Sequence, residues 1–247
     1  MLYPVELSSQ TTLVYYKTTN CQIKMVIFEE WRLMFLTIKK TDPRVLKTRN
    51  NLRRALVFLM QQEPLESISV QKITQTAHIT RGTFYLHYKD KQDFIETALQ
   101  DFINEFFDSV MYIPENSIKP VKVFSLKCAF AYIEQNADIF TVLLGESFGN
   151  RFHQAMYERL RKEMLQYTKT VAIPGKQVEV PIEIQVDFVA SAVLGLIGRW
   201  LERGLVYTSR YMTINVSKML ARDVEVDDLV GNFFSDQLQI ELGVQPA

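Results

Sequence analysis

The sequence predicts an all-α protein in two parts, a small N-terminal three-helix domain with a helix-turn-helix and a larger helical domain after it. Three observations carry this. Nine Gly and eight Pro in 247 residues are too few for a turn-rich β protein. Apolar residues recur at spacings of three and four through most of the chain beyond residue 44. Residues 69–94, SVQKITQTAHITRGTFYLHYKDKQDF, read as a short helix, a tight turn, a second short helix and the start of a third. The domain bounds drawn from this are 1–40 for an N-terminal extension, 41–92 for the helix-turn-helix domain and 93–247 for the larger helical domain.

Residues 1–40 have no clear period at first, and IKMVIFEEWRLMFLTI then suits a helix with Ile23, Ile27, Trp31 and Met34 or Phe35 on one side. The segment reads as an accessory extension; a biological start at Met25 or Met34 is the alternative. Residues 44–62 form the first domain helix, with Leu52, Leu56 and Leu59 or Met60 as its inner stripe, and Pro64 stops it. Ser69 caps the next helix, whose Val70, Ile73 and Ala77 turn inward. Thr80 caps the second short helix and Asp90 caps the helix over 91–111. That long helix carries Phe94, Ile95, Ala98, Leu99, Phe102, Ile103 and Phe106 on a wide apolar face, enough to pack both domains. Two Pro-containing breaks, 113–120 and 173–181, punctuate the rest, which reads as helices near 120–135, 137–146, 148–170, 182–204, 209–221 and 225–240.

The second short helix places Thr80, Arg81, Thr83, Tyr85 and His87 on a polar face, with Phe84 and Tyr88 opposite. A helix poor in exposed apolar bulk and rich in donors suits the DNA major groove. Arg81 and Thr83, at its start, are positioned for base edges, Arg favouring guanine and Thr the thymine methyl. Gly82 lets the backbone approach the groove, and Ser69 and Thr80 offer neutral donors near phosphates.

The run Ala77-His78-Ile79-Thr80-Arg81-Gly82-Thr83-Phe84-Tyr85-Leu86-His87-Tyr88-Lys89-Asp90-Lys91 resembles the helix-turn-helix signature of TetR-family transcriptional regulators. The close match covers roughly residues 45–110. It departs at Tyr88, where the family usually has Phe, a change a packed ring tolerates if its hydroxyl finds a partner. The resemblance implies phosphate contacts from Tyr85, His87 and Lys91. It implies a homodimer on a near-palindromic double-stranded operator, with half-sites about 34–36 Å apart. It also implies release by a small-molecule effector, hence a repressor. A coregulator acting through protein contacts without an effector is the alternative.

Late helices pair between protomers in that family. The resemblance therefore assigns 182–204 and one of the last two helices to a dimer interface, with Phe188, Val189, Ala192, Leu196 and Trp200 as its residues. Aromatics are dense from 124 to 157. By resemblance Phe124, Phe130, Phe148 and Phe152 line an effector pocket; by helical spacing alone they are core. YIEQNADIFTVLLGESFGNRF, residues 132–152, also resembles the C-terminal domains of some members.

The net charge is zero, but its distribution is not even. Lys39, Lys40, Arg44, Lys47, Arg49, Arg53 and Arg54 face a single Asp42, whereas 223–241 is acidic without Lys or Arg. One pole thus suits nucleic acid and the other does not. Cys21 and Cys128 form no ligand spacing, and no metal site or cofactor is expected. His78, His87 and His153 make no His-x-x-x-His pair, and neither a phosphate loop nor a Gly-x-Ser-x-Gly elbow occurs, so no catalytic residues are assigned. A dispersed all-helical active site is the remote alternative. The longest apolar run, Phe188–Ile197, is too short to span a bilayer. No secretory signal is visible, and a cytoplasmic protein without membrane partners is expected.

Overall fold

The computed structural model describes residues 4–7, 11–17, 23–26, 42–114, 120–145, 148–172, 179–221 and 230–234. Two units divide the chain, residues 1–50 and 51–247. The first contains a three-stranded antiparallel sheet of β1 (Pro4–Leu7), β2 (Thr11–Lys17) and β3 (Ile23–Val26), with Val14 opposite both Pro4 and Val26. This corrects the expected helix at its start, since residues 23–26 are strand; residues 27–41 lie outside the described part. The run Ile23–Val26 is short enough to fit either period, and it pairs with β2, whose TTLVYYK is rich in the β-branched and aromatic residues that suit a strand.

Helix α1 (Pro43–Met60) begins with proline at its first position, where no amide is needed, and the Arg44 amide donates to the Asp42 carboxylate at 2.8 Å. The second unit holds the rest of α1, then α2 (Val70–Thr76), α3 (Arg81–Tyr85) and α4 (Lys91–Val110). After α4 come β4 (Met111–Tyr112) and β5 (Val123–Phe124), which pair antiparallel. The helix expected from residue 120 therefore starts later. Ser125 caps α5 (Leu126–Gln135) through the Cys128 amide at 3.1 Å. Helices α6 (Ala137–Leu144), α7 (Gly149–Val171), α8 (Ile182–Glu202) and α9 (Ser209–Ala221) follow. The expected helix 225–240 is, in its described part, a 3-10 turn at Gly231–Phe234; the rest, with the acidic run, lies outside the described residues.

Aromatic side chains make the core continuous. Phe106 meets Phe107, Phe124, Tyr132 and Phe140 at ring separations of 5.4–6.1 Å, mostly edge to face. Phe124 also meets Phe233 and Phe234 of the 3-10 turn. Helix α4 is anchored on two sides within two turns. Arg53 of α1 pairs with Glu105 and Asp101 and lies over the Phe102 ring, and Arg159 of α7 reaches Asn104 and lies over Phe107. The buried Arg53 thus leaves the basic surface count; Arg44, Lys47 and Arg54 remain exposed.

Helix α8 runs longer than the apolar run suggested and by length and composition passes for a membrane span. It is nevertheless one-sided. Val186, Ala190, Val193, Leu194, Ile197, Trp200 and Leu201 are buried in the bundle. Its Asp187 accepts from Arg161 Nε at 2.7 Å and Tyr157 Oη at 2.9 Å, both on α7. The Arg161 guanidinium, then the Tyr157 hydroxyl, hold the Asp187 carboxyl below its ordinary range. Burial first, then Asp187, pushes the Tyr157 phenol up.

Candidate nucleic-acid interface

Helix α3 has only five residues, too short to be stable alone, so its neighbours must hold it. Three rings do so. Phe84, fully buried, lies 5.4 Å from Tyr88 and 5.5 Å from Phe94, and Tyr88 lies 4.9 Å from Phe94. Leu52, Leu56, Ile68, Ile73 and Ala77 complete the same core. The caps expected from the sequence are all present. The Ser69 hydroxyl accepts from the Lys72 amide at 3.2 Å, Thr80 accepts from the Thr83 amide at 3.1 Å, and Asp90 from the Asp93 amide at 2.9 Å. Both hydroxyls retain a hydrogen to donate; that of Thr80 lies 2.9 Å from the Thr83 hydroxyl.

Opposite the rings, α3 and the residues following it present an open face. Arg81, Gly82, Tyr85, Leu86 and Lys89 are exposed and follow at helical spacing; Thr83 and His87 are half-buried beside them. A Cβ added at Gly82 would meet only the Thr80 hydroxyl, at 3.7 Å, so the fold itself does not require glycine there. Leu86, 83% exposed, belongs to this face and was missed in the sequence; its position four residues beyond Gly82 was the available signal.

Two cations are less free than their sequence positions suggest. Lys91 Nζ donates to the carbonyl oxygens of Leu65 and Glu66, closing the 3-10 turn Leu65–Ser67 onto the start of α4. Its first task is structural, which qualifies the expected phosphate contact. Lys72 is held by Glu63 at 2.6 Å, and that ammonium, followed by the Ser67 hydroxyl, keeps the Glu63 carboxyl below its ordinary range. The turn between α2 and α3 places His78 at φ 54°, a left-handed conformation that costs a non-glycine residue about 1–2 kcal/mol.

The other expected sites divide. On α8, Phe188 (74% exposed), Ala192 and Leu196 face outward together with Ile184, and Val189 is half-buried. Trp200 does not belong with them. It is buried against Phe130 at 5.5 Å, and its indole N–H donates to the Tyr207 carbonyl at 2.9 Å. Phe124, Phe130 and Phe152 are likewise buried, each no more than 2% exposed. Phe124 packs on Phe106 and Phe107, Phe130 on Trp200, and Phe152 on Phe140. Phe148 is buried but does line a cleft, treated below. Among the described residues no group of His, Cys, Asp and Glu is placed to hold a metal ion.

A short capped helix with a donor-rich outer face, on a head joined by one long helix to a larger bundle, defines the class of helix-turn-helix transcriptional regulators. Two family models match the chain: "Bacterial regulatory proteins, tetR family" over residues 53–98, and "Transcriptional regulator C-terminal region" over 125–222. The chain belongs to the TetR family of transcriptional regulators. It is 34% identical over 71 residues to the HTH-type transcriptional regulator YxbF of Bacillus subtilis (strain 168), covering 28% of this chain and 19% of that protein. It is 29% identical over 120 residues to the HTH-type transcriptional regulator SAB2452 of Staphylococcus aureus (strain bovine RF122 / ET3-1), covering 47% and 64%. The chain thus spans about a fifth and just under two thirds of these curated relatives. Its fold is similar to that of the dihydroxyacetone kinase operon activator DhaS, with a TM-score of 0.52, 16% identity and coverage of 72% of this chain and 97% of that one.

Proposed function

We propose that the protein acts as a homodimeric repressor that binds a near-palindromic double-stranded DNA operator and is released from it by a small-molecule effector. The observation that carries this is the outer face of α3. Arg81, Thr83 and Tyr85 supply donors there, Gly82 removes bulk, and a ring cluster holds the backbone still. In this reading Arg81 and Thr83 read base edges, while Ser69, Thr80, Tyr85, His87 and the remaining hydrogen of Lys91 contact phosphates. The exposed Arg44, Lys47 and Arg54 add charge that tracks the backbone. The outward apolar stripe on α8, Ile184, Phe188, Ala192 and Leu196, supports pairing with a second copy, which two half-sites require. A role on the chromosome puts the protein in the cytoplasm and asks for no cofactor.

Selection of genomic fragments, followed by titration across salt concentrations, tests the reading. If a dimer neutralises about six to eight phosphates, log K against log salt has a slope near −5 to −7. A flat plot, or no retained fragment at low salt, would overturn it.

A further inference from the structure

Where the first turns of α4 pass the start of α7, two adjoining clefts of about 350 and 480 Å³ share Ile95, Phe148, Asn150 and Arg151. Their size is that of a small-molecule site. The larger adds Leu99 and Ala155 to the apolar wall, while the smaller is closed by Leu65, Glu66 and Lys91 of the head. The polar groups around the clefts are unequal in availability. Lys91 is occupied by two carbonyls, Glu96 accepts from Gln92 at 2.7 Å, and Gln154 donates to Glu158 at 2.9 Å. The Arg151 guanidinium has no hydrogen-bond or ion-pair partner among the described residues. An apolar wall ending at an unpaired guanidinium, with the Asn150 amide beside it, matches a ligand that is apolar at one end and carries one carboxylate at the other.

We propose that this cleft binds a small amphipathic monocarboxylate, with Arg151 taking the carboxylate and Ile95, Leu99, Phe148 and Ala155 covering the tail. Phe124, Phe130 and Phe152 do not line either cleft. The site also touches both the head and the bundle. Leu65 and Lys91 belong to the head, Phe148 and Arg151 to the bundle, so a ligand seated there separates or braces the two. This effect on DNA affinity rests on the regulator reading; occupancy of the cleft does not.

Calorimetric titration of the full chain with octanoate and with octan-1-ol tests the site. Octanoate should bind with a dissociation constant below about 1 mM, and octan-1-ol at least about tenfold more weakly. Arg151→Gln should weaken octanoate at least about tenfold, while Arg151→Lys recovers most of the loss. Arg151 is exposed, so neither variant endangers the fold. No binding of octanoate at about 10 mM, equal affinity for octan-1-ol, or an unchanged Arg151→Gln variant would each overturn the proposal. Operator titration with and without octanoate separates the two readings. Octanoate bound by a protein that retains no DNA fragment upholds the cleft and defeats the regulator; DNA retained without octanoate binding does the reverse.

Discussion

Helix α3 and helix α8 each turn a face to the outside, and the two faces have opposite chemistry. The face of α3 is built of donors around a glycine, and its five residues hold their shape only because Phe84, Tyr88 and Phe94 interlock beneath them. The face of α8 is apolar, carried by twenty-one residues whose opposite side is buried in the bundle. Polar donors on a rigid seat suit a charged, hydrated surface. A long stripe with Ile184 and Phe188 more than half exposed suits another apolar surface. One protein therefore carries two unmet surfaces that cannot substitute for each other.

The comparison breaks most visibly at Phe84. Phe84→Ala should cost about 3–5 kcal/mol in chemical denaturation, because the seat of α3 is lost along with a fully buried ring; a cost below 1 kcal/mol would show that α3 is held some other way. Phe188→Asp should leave unfolding of the subunit within about 0.5 kcal/mol. It should raise the dimer dissociation constant about thirtyfold, measured by sedimentation at several concentrations. Unchanged self-association would remove α8 from the interface. Arg81→Ala should reduce discrimination between preferred and scrambled duplexes by about 1–3 kcal/mol in competition binding and leave the subunit's stability untouched. A uniform loss across all duplexes would make Arg81 a phosphate contact.

The smallest expected effect concerns the bridge between α8 and α7. Asp187 is held below its ordinary range by Arg161 and Tyr157, so its pairing stabilises the fold above the unfolded-state value and is lost as pH falls through the lower folded one. The pair is solvent-exposed, so only a shallow acid limb is expected in thermal melts. Asp187→Asn should flatten that limb while leaving the alkaline side alone; an identical limb would show the bridge to be inert.

The head was legible from sequence because its signals are local. Ser69, Thr80 and Asp90 sit at fixed offsets from the helices they cap, and Phe84 and Tyr88 stand one helical turn apart. What sequence could not show depends on partners far along the chain. Arg53 counted as surface charge until it met Glu105, fifty-two residues away, and the tie between Lys91 and the Leu65 carbonyl spans twenty-six residues. Trp200 and Phe188 lie on the same helix at spacings that either face would accept, and only the position of Phe130 decides which is inside. The strand at Ile23–Val26 was missed because a short apolar run fits both periods.

Lys91 fixes the first residue of α4 to the turn before α2, so head and helix behave as one stiff piece. Twenty residues of helix make an arm about 30 Å long. A swing of roughly ten degrees about its far end would carry the tip about 5 Å, well beyond the tolerance of a hydrogen bond. A modest rearrangement among the rings near Phe106 is thus magnified at the far end of the arm, and in the proposed reading a displacement of that size takes Arg81 out of reach of a base.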